Sequence, residues 1–398
     1  MNKKDLAKKA LGRSLAGEAL ALHKKLGGKI FTGLAMPIKT REDLSLVYTP
    51  GVGAVSSYVA KHPKEARDYT IKGKMVAVIS DGSAVLGLGN IGPLGALPVM
   101  EGKCALFKTF ANVDAFPIVL DPSTLVGAST QEQVDFIVET ICAIVPGFGG
   151  INLEDFSAPR CFEIEARLKE RLDIPVMHDD QHGTAIVVMA ALMNAAKVVG
   201  KKFESLRVVI SGAGAAGTAV AKLLTLSGVK DIIVQDSKGI IVRGRERLTM
   251  YKEELADTTN PRGVSGDLND AMRGADAVVG VSGPGVIKAE HVRRMGERPI
   301  VFALANPVPE IMPDEAARAG AVVVATGRSD YPNQINNSLV FPGVFRGALD
   351  NRVKKITDEM KLAAAKNLAA LVKKPTAQKI IPGPFDKGVM QAVAKAIK

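Results

Sequence analysis

The sequence predicts an α/β protein: an N-terminal α/β domain, then a doubly wound parallel sheet, then helices at the end of the chain. Three observations predict it. Apolar runs after residue 206 alternate with helical stretches, as parallel strands joined by crossover helices do. A glycine-rich turn, Gly212-x-Gly214-x-x-Gly217, separates the first of these runs from a helix. In the first half, two pairs of adjacent carboxylates, Glu154-Asp155 and Asp179-Asp180, each follow an apolar run. At 398 residues the chain is long enough for two or three domains, and a hydrophobic content of 47% is ample for their cores.

Charged residues are 23%, which excludes disorder as the class. The net charge of +11 admits anionic partners. Much of it lies in Lys3, Lys4, Lys8, Lys9 and a lysine-rich tail, interspersed with Ala and Leu at helical spacing. That pattern reads as solvated helix faces, and no basic run is interleaved with aromatics, so no nucleic-acid partner is expected. Cys104, Cys142 and Cys161 have no CxxC spacing, which fits a reduced chain rather than a disulfide framework or thiolate metal site. The start lacks an apolar signal core, and no apolar run approaches the ~18 residues of a membrane span. The expectation is a cytoplasmic protein with no membrane contact.

In chain order, residues 4 to 25 have helical spacing, and 28 to 53 are loop-like, ending in Leu46-Val-Tyr48-Thr-Pro-Gly-Val-Gly53. Tyr48 beside a Pro-Gly turn is placed either to project from a loop or to pack with its hydroxyl satisfied. Lys74–Ser80 reads as a strand, opening into the glycine-rich Asp81–Gly92. This stretch lacks the GK[ST] of a phosphate-binding loop, so its glycines read as close backbone approach. Lys103 precedes the strand-like run Cys104–Lys108; it is either a surface lysine or a buried one whose lowered pKa suits a base. Phe116–Asp121 reads as a strand and Gln131–Ala143 as an amphipathic helix. Glu154-Asp155 stands at a strand end before Pro159 and a helix to about residue 172. Asp179-Asp180 lies in His178-Asp-Asp-Gln-His182-Gly-Thr-Ala185, after the apolar run Ile174–Met177 and before a helix to about Val199. These acids either cap that helix or form a site.

Arg207–Ser211 then reads as a strand, followed by the glycine turn and a helix. Asp231–Asp236 is the next strand, ending in an acid about 20 residues past the last glycine, as dinucleotide recognition requires. Glycines let the backbone approach a pyrophosphate, the helix start carries partial positive charge, and Asp236 can accept ribose hydroxyls. Gly212, Gly214, Ala215, Ala216, Gly217 and Asp236 are therefore the candidate cofactor contacts. The strands Asp276–Val281, Pro299–Leu304 and Ala321–Ala325 complete the winding. Asn306 sits at a strand end, where ligands bind in such sheets. Asn333–Gly343, with Asn336 and Asn337, is a polar cluster before a helix. Residues 346 to 398 are helical, interrupted at Pro375 and Pro382.

Carboxylates without thiolates suit a hard divalent ion, Mg²⁺ or Mn²⁺. A hard ion with a nicotinamide dinucleotide suggests a redox step on an oxygenated substrate. The motifs together, Tyr48-Thr-Pro-Gly, Asp81-Gly-Ser-Ala-Val-Leu-Gly-Leu-Gly, Gly102-Lys103, Glu154-Asp155-Phe, His178–Ala185, the glycine turn, Asn306-Pro and Asn336-Asn-x3-Phe-Pro-Gly, resemble the malic enzymes, in the short bacterial and archaeal branch. The resemblance covers about residue 15 to the C-terminus.

The resemblance implies oxidation and decarboxylation of (S)-malate to pyruvate and CO₂, with NAD(P)⁺ reduced and Mg²⁺ or Mn²⁺ required, and activity on oxaloacetate. It implies Glu154, Asp155 and Asp180 as metal ligands and Asp179 as the holder of Lys103. It implies Lys103 as base on the C2 hydroxyl and Tyr48 as the acid that protonates C3. It places Asn306 and Asn337 on substrate, with Asn306 and Asn336 also near the cofactor. It implies a homodimer or higher homo-oligomer, and leaves open whether Tyr48 and Lys103 of one site come from one chain or from two. The expected domains are 1–182 for the metal and acid/base groups, 183–345 for the Rossmann NAD(P)-binding fold, and 346–398 for helices packing back on the first domain. One departure stands out. Where the larger members carry an arginine that grips a malate carboxylate, this chain has Ala84. Asp236 favours NAD by repelling a 2′-phosphate, while Lys238, Arg243 and Arg245 leave NADP open.

Overall fold

The computed structural model describes residues 15–398. The predicted helix of residues 4–25 and the lysines at 3, 4, 8 and 9 thus fall partly or wholly outside the described residues; the described part is α1 (Leu15–Leu26). The segment read as a loop over 28–53 instead contains α2 (Arg41–Val47) and the start of α3 (Gly51–Lys61). The start of α2 is a capping box: Thr40 Oγ1 accepts from the Asp43 amide at 3.0 Å, and the Asp43 carboxylate accepts from the Thr40 amide at 2.9 Å. Helices α1, α2 and α3 bury no residue, and Leu20, Phe31, Leu34 and Leu46 stand exposed.

The first sheet follows. Its elements are β1 (Met75–Ser80), α4 (Gly92–Ala111), β2 (Asp114–Val119), α5 (Thr130–Ile144), β3 (Gly150–Leu153), α6 (Arg160–Arg171) and β4 (Val176–His178). The strands are parallel in the order β2-β1-β3-β4, so all their C-terminal ends open on one edge. Lys103 is mid-helix in α4, not beside a strand. The buried residues Ala96, Met100, Lys103, Cys104, Phe107 and Ala111 recur at helical spacing. The run from 104 to 108 is too short to show that period, and its apolar neighbours mimic a strand.

Helix α7 (Asp179–Val199) begins directly after β4. Among the described residues it is the one helix long and apolar enough to cross a membrane, against the expectation that no apolar run approaches that length. Yet 72% of that stretch is buried inside the protein, where it is core. The second sheet comprises β5 (Arg207–Ser211), α8 (Ala215–Leu226), β6 (Asp231–Asp236), β7 (Gly239–Ile240), α9 (Met250–Thr258), β8 (Ala277–Gly280), β9 (Ile300–Ala303) and β10 (Val323–Thr326). The order is β10-β9-β8-β5-β6-β7, parallel except for the β6–β7 pair. The winding reverses between β5 and β8, which opens a crevice beyond Ser211 and Gly280.

Helices α10 (Phe341–Asp350), α11 (Asp358–Ala370) and α12 (Val389–Ala394) close the chain. Phe341 and Phe345 meet Phe107 of α4 edge-on, at centroid distances of 4.7 and 5.5 Å. Asn194 in α7 donates to the carbonyls of Ala369 and Ile380, each at 2.9 Å. One apolar core thus runs from β1 and α4 through α7 to β5, α8 and the closing helices. The boundary placed at 182/183 lies inside the first turn of α7.

Candidate functional site

The first sheet delivers acids to one spot. Glu154 and Asp155 follow β3, and Asp180 is the second residue of α7. Asp179 and Asp180 are helical residues, and the N-cap, His178, makes no side-chain cap bond. The capping alternative for these two acids therefore fails. One oxygen from each of Glu154, Asp155 and Asp180 lies within 4.8 Å of the others. Asp155 adopts a left-handed backbone (φ 57°), held by its amide donating to Asp180 Oδ2 at 2.8 Å and its carbonyl accepting from the Ala84 amide at 2.9 Å. That conformation costs energy in a non-glycine residue, and asparagine and aspartate tolerate it best. Three hard oxygen donors converging without thiolates fit a divalent Mg²⁺ or Mn²⁺ ion.

Lys103 is buried beside this trio. Its ammonium pairs with Asp179 and, at 2.9 Å, with Glu154, and lies 4.3 Å from the Phe341 ring centroid. Burial pulls its pKa down, but Asp179, Glu154 and Asp180 more than compensate, so it stands above the ordinary lysine value. This corrects the expectation that burial alone lowers it. Burial and the neighbouring acids raise Glu154 and Asp179. Asp180 is pushed up by burial but held below the usual range, chiefly by His178, whose Nε2 lies 3.1 Å from Asp180 Oδ2.

A second ring of contacts surrounds these acids; its histidines, His178 and His182, read from the sequence as supporting or packing residues, but Glu165 and Lys169 were not singled out. Glu165, buried in α6, accepts the His178 amide at 2.8 Å on Oε1, and its Oε2 lies 2.9 Å from His182 Nε2. Lys169 pairs with Oε1 at 2.8 Å. Gln181 Nε2 is 2.9 Å from His178 Nδ1. The two histidines thus fasten the β4–α7 junction, one from each side of the paired aspartates. Gly183 is required there: a β-carbon would lie 1.8 Å from Asp179 Oδ1 and 3.1 Å from Asn337 Cβ.

The crevice at β5/β8 forms a cavity of about 420 Å³ lined by Gly212, Gly214, Asp236, Lys252, Ser282 and Tyr251, among others. Gly212 has φ 122°, and a β-carbon on it would lie 2.4 Å from the Val281 carbonyl. One on Gly217 would lie 1.8 Å from the Gly212 carbonyl, so this glycine lets α8 close on β5. Gly214 has no atom within 4 Å of that position and leaves the helix start, Ala215-Ala216, open to a ligand. Asp236 is gripped by Arg245 at 3.0 and 2.6 Å and by Lys252 at 2.6 Å. Although burial works against it, these cations hold Asp236 well below the usual carboxylate range. Arg243 turns away to Asp257. Glu310, also unforeseen, accepts amides from Ser282 at 2.8 Å and Ala305 at 3.0 Å, tying together the loops after β8 and β9.

Asn306 precedes a cis proline, and its carbonyl packs against Gly87, where a β-carbon would lie 2.2 Å away. The Asp81–Gly92 loop therefore touches the second sheet's loops across the cleft. Asn337 lies over Gly183, next to Asp179, with no side-chain hydrogen bond among the described residues. Asn336 caps a turn by accepting from the Ser338 amide at 2.9 Å. No hydrogen bond or ring contact joins Tyr48 to Lys103 among the described residues. Tyr48 ends α2, is 65% exposed, and makes no side-chain bond to the acid cluster among the described residues. The expected loss of a carboxylate-gripping arginine at Ala84 is plain: its amide is spent on Asp155, and nearby Arg160 is committed to Asp81, Ser157 and Gln133.

Comparison with known proteins bears on all of this. The family model of the malic enzyme N-terminal domain matches residues 28–169, and that of the malic enzyme NAD-binding domain matches 181–396. An NAD-dependent malic enzyme of Geobacillus stearothermophilus is 55% identical over 94% of this chain and 76% of its own length. A bifunctional malic/malolactic enzyme of Bacillus subtilis is 53% identical, covering 96% of this chain and 92% of its own. The crystal structure of an NAD-dependent malic enzyme from Thermotoga maritima superposes with a TM-score of 0.89 at 49% identity, covering 95% of this chain and 98% of that one.

Proposed function

Since the chain belongs to the malic enzyme family, we propose that it oxidises and decarboxylates (S)-malate to pyruvate and CO₂ with reduction of NAD(P)⁺, and that it also decarboxylates oxaloacetate. The observation that carries this reading is the Lys103 ammonium, buried between Asp179 and Glu154 beside three convergent carboxylate oxygens.

Glu154, Asp155 and Asp180 would hold Mg²⁺ or Mn²⁺. When bound, the ion would polarise the C2 oxygen and stabilise enolate charge, and the dinucleotide would accept the C2 hydride. Lys103 takes the C2 hydroxyl proton. For this its amine must be neutral, so the negative charge around it must fall, and Glu154 is the neighbour whose charge the ion would take up. Asp179 keeps Lys103 aimed while Glu154 is so engaged. Asn337, above Gly183, and Asn306, at the tip of the second sheet, bind substrate from opposite sides; Asn306 and Asn336 also border the cofactor. Gly212, Gly214, Ala215, Ala216 and Gly217 receive the pyrophosphate, and Asp236 the adenosine ribose. Tyr48 protonates C3 of the enolate.

The exposed apolar surface of α1, α2 and α3 supports a homodimer or higher homo-oligomer. With Tyr48 on that surface and in no hydrogen bond or ring contact with Lys103 among the described residues, a partner's Tyr48 completes each site. Coexpressing Tyr48→Phe with Lys103→Ala tests this. Random pairing leaves one intact site in each mixed dimer, so about a quarter of wild-type activity should return; hybrid dimers with none would sink shared sites. The function itself is tested by malate-dependent formation of NADH or NADPH with Mn²⁺, with pyruvate and lactate both measured. No malate-dependent reduction of either cofactor would refute it.

A further inference from the structure

A second cavity, about 620 Å³, adjoins the crevice further along α8, between α6, the start of α7, α8, α9 and the head of α11. We propose that it binds a small organic anion, a phosphate or carboxylate on an apolar body, and that its occupant alters the affinity for the dinucleotide. The site itself is independent of the proposed reaction; only the coupling rests on that reading.

The lining is cationic. Lys169, Lys222, Lys355 and Lys361 face only Glu165, Glu254 and Asp358, an excess of one positive charge in a concave, partly desolvated space. Lys361 is the anchor. Its side chain is 7% exposed and its ammonium reaches one carboxylate oxygen, Asp358 Oδ1, at 2.8 Å. An ammonium has three donors, and a buried one left with unused donors is costly. Burial and the neighbouring Lys169 lower its pKa, the mark of a cation short of negative charge. Lys222 and Lys355 stand exposed at the rim, with no ion pair among the described residues. Between them, Leu223, Leu255 and Ile356 offer an apolar floor. A cavity of this size with convergent cations and apolar walls suits a small ligand with one charged end.

Its position supplies the coupling. Phe162 and Tyr251, with ring centroids 4.6 Å apart, line both this cavity and the one beside Asp236. A ligand packed on one side of this pair sets the rotamers met by adenosine on the other. Lys169, on the cavity wall, also holds Glu165, which fastens the His178 amide.

Isothermal titration calorimetry of the full-length protein tests the site. The probes are phenyl phosphate, benzoate, inorganic phosphate and phenol, against wild type, Lys361→Met and Lys222→Glu. Circular dichroism melts verify folding, and Lys222 is exposed, so its variant keeps the test sharp if Lys361→Met unfolds. Phenyl phosphate or benzoate should bind wild type more tightly than inorganic phosphate or phenol, and about tenfold more weakly to each variant. Which of the two binds better tells a phosphate ligand from a carboxylate. No binding to wild type at millimolar concentration, or equal binding to wild type and Lys222→Glu, would overturn the site. With the better probe saturating, the NAD⁺ Kd should shift by about threefold or more in wild type and not in Lys361→Met; an unmoved Kd in wild type overturns the coupling. Failure of NAD⁺ to bind at all would count against the dinucleotide reading instead, and the anion titrations judge the cavity separately.

Discussion

Replacing Gly183 with alanine should damage the site without damaging the fold. The added β-carbon would fall 1.8 Å from Asp179 Oδ1. Ordinary contact is about 3.5 Å, so the carboxylate must retreat by well over an ångström or α7 must shift. Neither is easy. Asp179 is fully buried, its other oxygen holds Lys103, and the opposite side of the new methyl meets Asn337 at 3.1 Å. Overpacking of this kind costs about 1–3 kcal/mol of stability. Misplacing a reacting group by about 1 Å costs about 100-fold in rate. We therefore expect kcat for malate-dependent NAD(P)⁺ reduction to fall about 100-fold in a protein that still unfolds cooperatively in urea. Gly147→Ala, whose β-carbon meets nothing within 4 Å, is the control and should match wild type. A folded Gly183→Ala enzyme with kcat within about twofold of wild type would show that Asp179 need not sit where it does.

Glu165→Gln should weaken Mn²⁺ binding about tenfold, read from the electron paramagnetic resonance of free Mn²⁺; an unchanged Kd would deny Glu165 any hold on Asp180. Burial raises the Glu165 pKa, but His182 and Lys169 overcome it and leave the group well below the ordinary value. Its contribution to stability is thus complete above about pH 4.3 and is lost as pH falls through the folded pKa. The wild-type advantage over Glu165→Gln in urea should therefore hold steady above about pH 5 and shrink as pH falls below about 4.3, the unfolded pKa; a difference that stays constant down to about pH 3 would contradict this. Gly87→Ala, which forces a β-carbon to 2.2 Å from the Asn306 carbonyl, should lower kcat/KM for malate about tenfold or more while leaving the urea midpoint nearly unmoved; normal kinetics would show that the cleft loops need not touch. Asp236→Ala frees Arg245 and Lys252 and should raise the NADP⁺/NAD⁺ ratio of kcat/KM by about tenfold; an unchanged ratio would mean that the adenosine phosphate is read elsewhere.

The second sheet was legible almost strand by strand. Its strands are buried on both faces, so they appear as unbroken apolar runs between Gly, Pro and Asp, as Ile232–Val234 does before Asp236. Glu154, Asp155, Asp179 and Asp180 were legible because adjacent acids at strand ends have little structural use. Lys103 was recognised, but its element was mistaken, since an apolar helix packed on several sides loses its polar stripe. Glu165 and Glu310 escaped because their nearby contacts, Lys169 and the Ala305 amide, do not mark a site, and the partners that do, the amides of His178 and Ser282, lie 13 and 28 residues away in the chain. The segment before residue 62 was hardest. None of its described residues, 15–61, is buried, so although helical spacing was legible up to residue 25, no core-facing stripe marked α2 or α3. The capping box Thr40-x-x-Asp43 is the local mark of a helix start that the sequence carries there.

The continuity of α7 has a consequence for anyone who would take the molecule apart. Cutting after His182 or Gly183 would sever a helix whose first turn holds the acids and whose remaining turns support both sheets. Gly200, in a left-handed conformation (φ 72°), ends that helix by donating its amide to the carbonyls of Ala196 and Lys197. It is the natural seam. Chimeras that exchange dinucleotide-binding segments between relatives should be joined there, with each α7 kept whole beside the acids it carries.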